Sequence, residues 1–215
     1  MHLQRFFSTS FLVILLLSNT ACADPSKLQF EAGTHYQVLA NPAKVMDPSK
    51  IEVMEVFWYG CSHCYDFEPL LRKWKDQLPS DVMFLKTPAV WREFMKFHAN
   101  VYYTAETLKL PESGHDAIFA LLMKNPRLTD PKYFSKIFSN HGIDSNKFGQ
   151  MINSFGTISK VSQAQRRIQK NYKIQGTPEI IVNGKYRISS KMAGGQAEML
   201  RVADFLINLE RRKRS

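Results

Sequence analysis

An α/β fold is predicted: a central sheet flanked by helices, with an all-helical block inserted between its two halves. Strand-type runs lie at 51–59 and 82–87, and they return at 179–182 and 185–188. Between the two groups, roughly eighty residues carry helical periodicity alone. Each half of the sheet needs the other for pairing, so the helical block is an insertion and not a tail.

Taken in order, residues 35–39 alternate loosely and predict a short first strand. Pro42 and Pro48 mark the following stretch as a loop. Residues 51–59 have few polar interruptions, as expected of a strand buried on both faces. A helix is predicted from Cys61, with Cys64, Phe67, Leu70, Leu71, Trp74 and Leu78 three or four residues apart. Residues 82–87 form a third strand, closed by Pro88. Helical patterns then cover 91–108, 115–124, 131–140, 145–155 (capped by Ser145) and 157–172. Asn183-Gly184 between two apolar runs is a strong hairpin signal. An amphipathic helix over 196–209 ends the pattern. The expected organisation is a leader at 1–23, a discontinuous sheet domain at 24–89 and 174–215, and the helical insertion at 90–173.

The chain has 215 residues, enough for one domain with a large insertion, and its 44% apolar content argues against disorder. A net charge of +10 admits nucleic acid or an anionic membrane as partner. The charges are dispersed, however, and only residues 211–214 form a basic block. A solvated surface with a frayed terminus is expected, and no nucleic-acid partner.

Arg5 is the only full charge before Asp24, and 11–17 is a short apolar run followed by Ala21-Cys22-Ala23. This pattern predicts a secretory signal peptide cleaved after Ala23, too short to span a membrane. Lipidation of Cys22 is the alternative, but Asn19 occupies the place where lipoprotein signals want a Leu-like residue. Cleavage leaves two cysteines, Cys61 and Cys64. A structural disulfide stabilises by closing a long loop, and this pair closes almost none. A reactive role in an oxidising compartment is therefore expected, with no cofactor.

Cys-x-x-Cys at a strand-to-helix junction places the first sulfur before unshared helix N–H groups. Cys61 is thus the candidate nucleophile, with His63 able to donate to or charge-stabilise its thiolate. A stabilised thiolate makes the disulfide oxidising. Cys64, one turn inside, is the candidate resolving thiol. A zinc site wants four ligands, and no second Cys pair or suitably spaced His supplies them. Copper handling finds no Met-rich motif to support it. Gly176-Thr177-Pro178 precedes a strand, where proline is tolerated. By itself it reads as an ordinary turn. Facing a Cys-x-x-Cys pair, a cis bond there would expose the Thr177 backbone to a peptide. Glu55 and Lys86 sit in two predicted central strands. They form either a buried proton-handling pair beneath the cysteines or two exposed strand ends. Phe94, Phe97, Tyr102, Phe119, Met123 and Phe134 of the helical block are expected mostly in its core.

Cys61-Ser62-His63-Cys64 with Tyr65, Phe67 and Glu68, Gly176-Thr177-Pro178, and the run 182–186 together resemble the DsbA family of bacterial periplasmic thiol:disulfide interchange proteins. The resemblance covers nearly all of the chain after the leader. It implies a thioredoxin-like fold with an inserted helical domain. It also implies oxidation of thiols in newly exported, reduced proteins, and reoxidation by a DsbB-type membrane oxidase. On this resemblance Cys61 is the nucleophile, Cys64 the resolving cysteine, His63 the thiolate-stabilising histidine and Pro178 the cis-proline. Glu55 and Lys86 match the family's buried acid–base pair. Two residues depart from the best-known members: Ser62 replaces proline, and Thr177 replaces valine. Threonine before the cis-proline is similar to disulfide isomerases. An isomerase or reductase of the same fold is therefore the alternative enzyme, and a holdase chaperone the non-enzymatic one. Against an isomerase, no separate N-terminal dimerisation domain is expected; a monomer is expected.

Overall fold

The computed structural model describes residues 30–214. The expected leader, its cleavage site and the Cys22 alternative lie outside the described residues. Five strands form one sheet in the order β1-β5-β4-β2-β3. They are β1 (Gln37–Val38), β2 (Ile51–Phe57), β3 (Val82–Pro88), β4 (Glu179–Val182) and β5 (Tyr186–Ser189). β2 pairs parallel with β3 and antiparallel with β4, which in turn pairs antiparallel with β5. All seven residues of β2 are buried, the pattern of a strand covered on both faces.

On one face, Ile51, Val53, Ile180, Val182 and Ile188 pack with Phe67 and Leu71 of α1 (Ser62–Lys75). Met199, Val202 and Leu206 of α8 (Gln196–Arg212) complete that layer. On the other face, Met54, Val56 and Ile181 meet Met95, Ile168 and Tyr172. The chain between β3 and β4 is helical: α2 (Glu93–Leu108), α3 (Glu112–Lys124), α4 (Pro131–Asn140), α5 (Ser145–Ile152) and α6 (Phe155–Arg166). Tyr102, Phe119 and Phe134 are buried in a core of their own, with Phe97 packed against it. The same core takes in Phe57, Tyr59 and Cys64, so the helical block rests directly on the redox stretch.

Several boundaries differ from the sequence reading. The pattern at 145–155 is two helices, because Ser154 Oγ accepts from Thr157 N–H and restarts the chain as α6. The cap of α5 is Asp144 and not Ser145. The Asp144 carboxylate reaches the Asn146 and Lys147 N–H groups at 2.9 and 3.1 Å. The helix expected over 157–172 widens after Arg166 into a π-turn, Arg167–Asn171. The basic C-terminus is not frayed: Arg211 holds Asp81 at 2.7 Å, and Arg214 donates to the Lys50 carbonyl at 2.8 Å. Arg211 and Arg214 fasten it to the sheet end, while residues 212–214 stay exposed. The short α7 (Ser190–Ala193) links β5 to α8. No helix among the described residues is long and apolar enough to cross a membrane.

The β4–β5 hairpin is fastened twice. Gly184 has φ 64°, and a Cβ there would lie 2.2 Å from the Ala43 carbonyl oxygen. Gly184→Ala therefore strains the turn and expels the 43 loop. A loss of roughly 2–4 kcal/mol is expected in urea unfolding. Glu210, buried on α8, accepts from Asn183 Nδ2 at 2.6 Å, Lys185 Nζ at 2.5 Å, Tyr186 Oη at 2.8 Å and Lys213 Nζ at 3.2 Å. Burial pushes its pKa up, but these hydrogen bonds outweigh it and hold the carboxyl at about 2. A depressed carboxyl stabilises the fold above its unfolded pKa near 4.5 and loses that contribution as pH falls towards 2. With two half-exposed lysines in the cluster, the contribution is on the order of 2 kcal/mol. Melting curves between pH 2 and 7 should show Glu210→Gln least stable relative to wild type at neutral pH, with the gap closing in acid.

Candidate active site

β2 ends at Phe57, and the chain reaches Cys61 through Trp58, Tyr59 and Gly60. A Cβ on Gly60 would sit 2.3 Å from the Trp58 ring, so glycine lets the chain turn tightly over the indole. Trp58 Nε1 donates to His98 Nδ1 at 2.9 Å, which leaves His98 Nε2–H to donate to the Leu128 carbonyl at 2.9 Å. The turn before the cysteines is thereby tied to α2 and to the loop after α3.

Cys61 is the N-cap of α1, with an extended backbone at φ −98°. An N-cap side chain normally accepts from the free N–H groups of the first turn, and here a sulfur occupies that position. The Cys64 side chain, the Thr177 side chain and the Cys64 and His63 backbone N–H groups all favour its thiolate. Burial opposes them, and the balance brings Cys61 down to about 6. Cys64 behaves oppositely. It is fully buried, and burial together with the Cys61 charge pushes its pKa well up. One sulfur is half-buried and held as thiolate; the other is enclosed and held as thiol.

The opposite wall is the segment before β4. The Thr177–Pro178 peptide is cis, and the Thr177 carbonyl faces Cys61 Sγ at 3.4 Å. Pro178 is buried and Thr177 half-buried, with Gly176 beside them. Ser62 and His63 are exposed on the first turn of α1. The contribution of His63 to the Cys61 sulfur comes through its backbone N–H. Its carbonyl accepts from Gln196 Nε2 of α8, at 2.5 Å.

Glu55 and Lys86 are register partners on the parallel pair β2–β3. Lys86 Nζ lies 3.1 Å from Glu55 Oε2 and also bonds the Glu68 carboxylate of α1. Burial raises Glu55 to about 7; Lys86 opposes this, while the Glu68 and Cys61 charges add to it. Two carboxylates sharing one ammonium retain a proton near neutrality. Burial works against the charged form of Lys86, but Glu55 and Glu68 outweigh it and raise its pKa. Sequence reading did not assign Glu68 to the cluster. The signal was its place four residues after Cys64, on the same helical face. Glu52, a second acid in β2, turns away to accept from Met46 N–H at 2.9 Å.

Lys86 and Glu68 open onto a groove of about 600 Å³ whose lining includes Tyr59, Tyr102, Glu106 and His115. Tyr59 Oη is hydrogen-bonded to His115 Nδ1. Burial, with Lys86 nearby, lowers His115 to about 4, so its ring is neutral. Among the described residues, no cluster of three or more His, Cys, Asp or Glu side chains forms a metal site.

A family model described as the DSBA-like thioredoxin domain matches residues 86–206. The Thiol:disulfide interchange protein DsbA of Pseudomonas aeruginosa is 37% identical over 183 residues, covering 85% of this chain and 86% of that protein. The protein of the same name from Azotobacter vinelandii is 36% identical over 198 residues, covering 92% of each. Among solved structures, the crystal structure of Pseudomonas aeruginosa DsbA superposes with a TM-score of 0.81 at 37% identity, over 86% of this chain and 96% of that one. Reduced DsbA1 from Neisseria meningitidis superposes with a TM-score of 0.75 at 25% identity, over 87% of this chain and 100% of that one. Likeness of this extent accords with the two unequal sulfurs at the start of α1: the chain belongs to the DsbA family and is a thiol:disulfide oxidoreductase.

Proposed function

We propose that the chain acts as an exported oxidant, donating the Cys61–Cys64 disulfide to reduced proteins in the periplasm. The observation that carries this reading is the difference between the sulfurs. A thiolate at about 6 is a good leaving group, and its stability in the reduced form makes the disulfide a strong electron acceptor. A substrate thiolate attacks Cys61, the S–S bond breaks, and the electron pair goes to Cys64. A second substrate thiolate then attacks the substrate sulfur of the mixed disulfide and expels Cys61 as thiolate. The substrate leaves oxidised by two electrons, and the pair is reduced by two.

Cys64 leaves with a high proton affinity, so its departure needs a proton nearby. In this reading Glu55, protonated up to about pH 7 and felt electrostatically by both cysteines, supplies it. Lys86 and Glu68 line the groove and connect Glu55 with solvent. Thr177 and Pro178 offer the substrate backbone an edge beside Cys61. The isomerase-like Thr177 does not oppose the oxidant reading, because its side chain adds to the stabilisation of the Cys61 thiolate. In this reading residues 1–23 direct export, and a DsbB-type membrane oxidase restores the disulfide.

Oxidation of a reduced model protein tests the reading directly. The purified disulfide form should oxidise it, and Cys61→Ser should show no activity; full activity in that variant would sink the proposal. Glu55→Gln should slow oxidation at pH 7 by roughly tenfold or more, and should remove an inflection near pH 7 from the rate profile. The same variant has a stability signature. Folding raises the Glu55 pKa from 4.5 to about 7. The native chain therefore holds the proton over that window and loses stability as pH rises through it. Melting temperatures at pH 5 and pH 8 should differ less in Glu55→Gln than in wild type.

A further inference from the structure

The segment that brings Thr177 to Cys61 belongs to no strand or helix. It leaves the π-turn at Tyr172, passes through Lys173 with φ 50°, and enters β4 at Glu179. Ile174 N–H still reaches back to the Ile168 carbonyl at 2.9 Å. Beyond it, the segment is held by two buried side chains of the hairpin. Glu179 Oε1 accepts from Gln175 N–H at 3.4 Å, and the neighbouring Gly176 N–H favours its charged form. Arg187 Nη1 donates to the Lys173 carbonyl and, at 3.5 Å, to that of Tyr172. Arg187 Nε lies 3.5 Å from Glu179 Oε2. One side chain thus takes the Gln175 N–H, the other takes two C=O groups, and an ion pair that makes no hydrogen bond joins them.

Register explains the arrangement. Glu179 faces Ser189 and Ile181 faces Arg187, so the acid and the base are diagonal neighbours across β4 and β5. They are 3% and 9% exposed. A buried ion pair adds little net stability compared with apolar residues of the same volume, and its best-attested role is to specify a geometry. The geometry specified here is that of the loop against the thiolate.

We infer that Glu179 and Arg187 are positioning residues for disulfide exchange, because they anchor 172–176 and so hold the Thr177 carbonyl and side chain at the Cys61 sulfur. The inference rests on the proposed function only in taking Cys61 as the attacked sulfur. Neither side chain touches the reacting atoms. They act through Thr177, whose carbonyl lies 3.4 Å from the Cys61 sulfur and whose side chain favours the thiolate.

The test is the thiolate absorbance of the reduced protein near 240 nm as a function of pH, followed by equilibration with glutathione. In Glu179→Leu and in Arg187→Met the Cys61 midpoint should move up from about 6 by roughly half a unit to one unit. The disulfide should become about three- to tenfold less oxidising. Glu179→Gln keeps an acceptor for Gln175 N–H and should recover most of the wild-type midpoint. An unchanged midpoint in both apolar variants, with lowered melting temperature alone, would reduce the pair to a structural role and overturn the inference. Should those variants not fold, amide exchange in the unaltered protein decides. Gln175 and Gly176 should exchange at least about tenfold more slowly than free-peptide rates, and free-peptide rates overturn the inference. A wild-type protein without oxidase activity would refute the proposed function while leaving the titration shift readable.

Discussion

The first-turn N–H groups of α1 have no partner within the helix, and Cys61 stands at their end, where the Cys64 side chain, the Thr177 side chain and the Cys64 and His63 N–H groups together favour its thiolate. A thiol meets that demand poorly and a thiolate meets it well. The helix start therefore acts as a standing preference for the reduced, charged form. The other features of the site either maintain this contact or exploit it. Gly60 turns the chain over Trp58 so that Cys61 lands at the cap position. The Trp58–His98–Leu128 chain ties that turn to the helical block. From across the cleft the Thr177 side chain also favours the thiolate, with the Thr177 carbonyl 3.4 Å from the sulfur.

The second sulfur completes the asymmetry. Cys64 lies one turn along the helix, inside the core shared by the redox stretch and the helical block. It is cut off from solvent, and the Trp58 backbone N–H that favours its thiolate is outweighed by burial. Charge placed there would be expensive, which is why the proton inventory beneath it matters. Glu55, Glu68 and Lys86 hold two negative sites and one positive one within ion-pair distance. Such a cluster keeps a mobile proton near pH 7 without a histidine or a metal. The parallel register of β2 and β3 sets the Glu55–Lys86 pair, and α1 brings Glu68 to it.

Most of the fold was legible because its signals are local. The Asn183-Gly184 turn, the apolar run of β2 and the Cys-x-x-Cys junction each announce themselves within a few residues. Glu55 and Lys86 were legible as polar groups in apolar strands, although only the strand register shows that they meet. What escaped depends on distant contacts. Glu179 looks like an ordinary acid after a proline until Arg187 and the loop amides surround it. The C-terminal basic block is solvated as its sequence suggests, but that it is also fastened shows only when Asp81 and Lys50 are brought to it. The Asp144 cap was missed because Ser145, equally able to cap, stands beside it.

β2 and β4 are hydrogen-bonded neighbours, with Val56 opposite Glu179. The two walls of the cleft are continuations of these strands, one leading to Cys61 and the other following Thr177 and Pro178. The ladder that joins them sets the width of the cleft near the spacing of adjacent strands. The helices between β3 and β4 lead out through residues 172–178, so the insertion ends in the strip that carries Thr177. The insertion is therefore not free to change independently of the chemistry. Its helix α2 holds the turn before the sulfur, and its last turn holds the start of the peptide edge, so an alteration in the helical block can reach the cleft from either side.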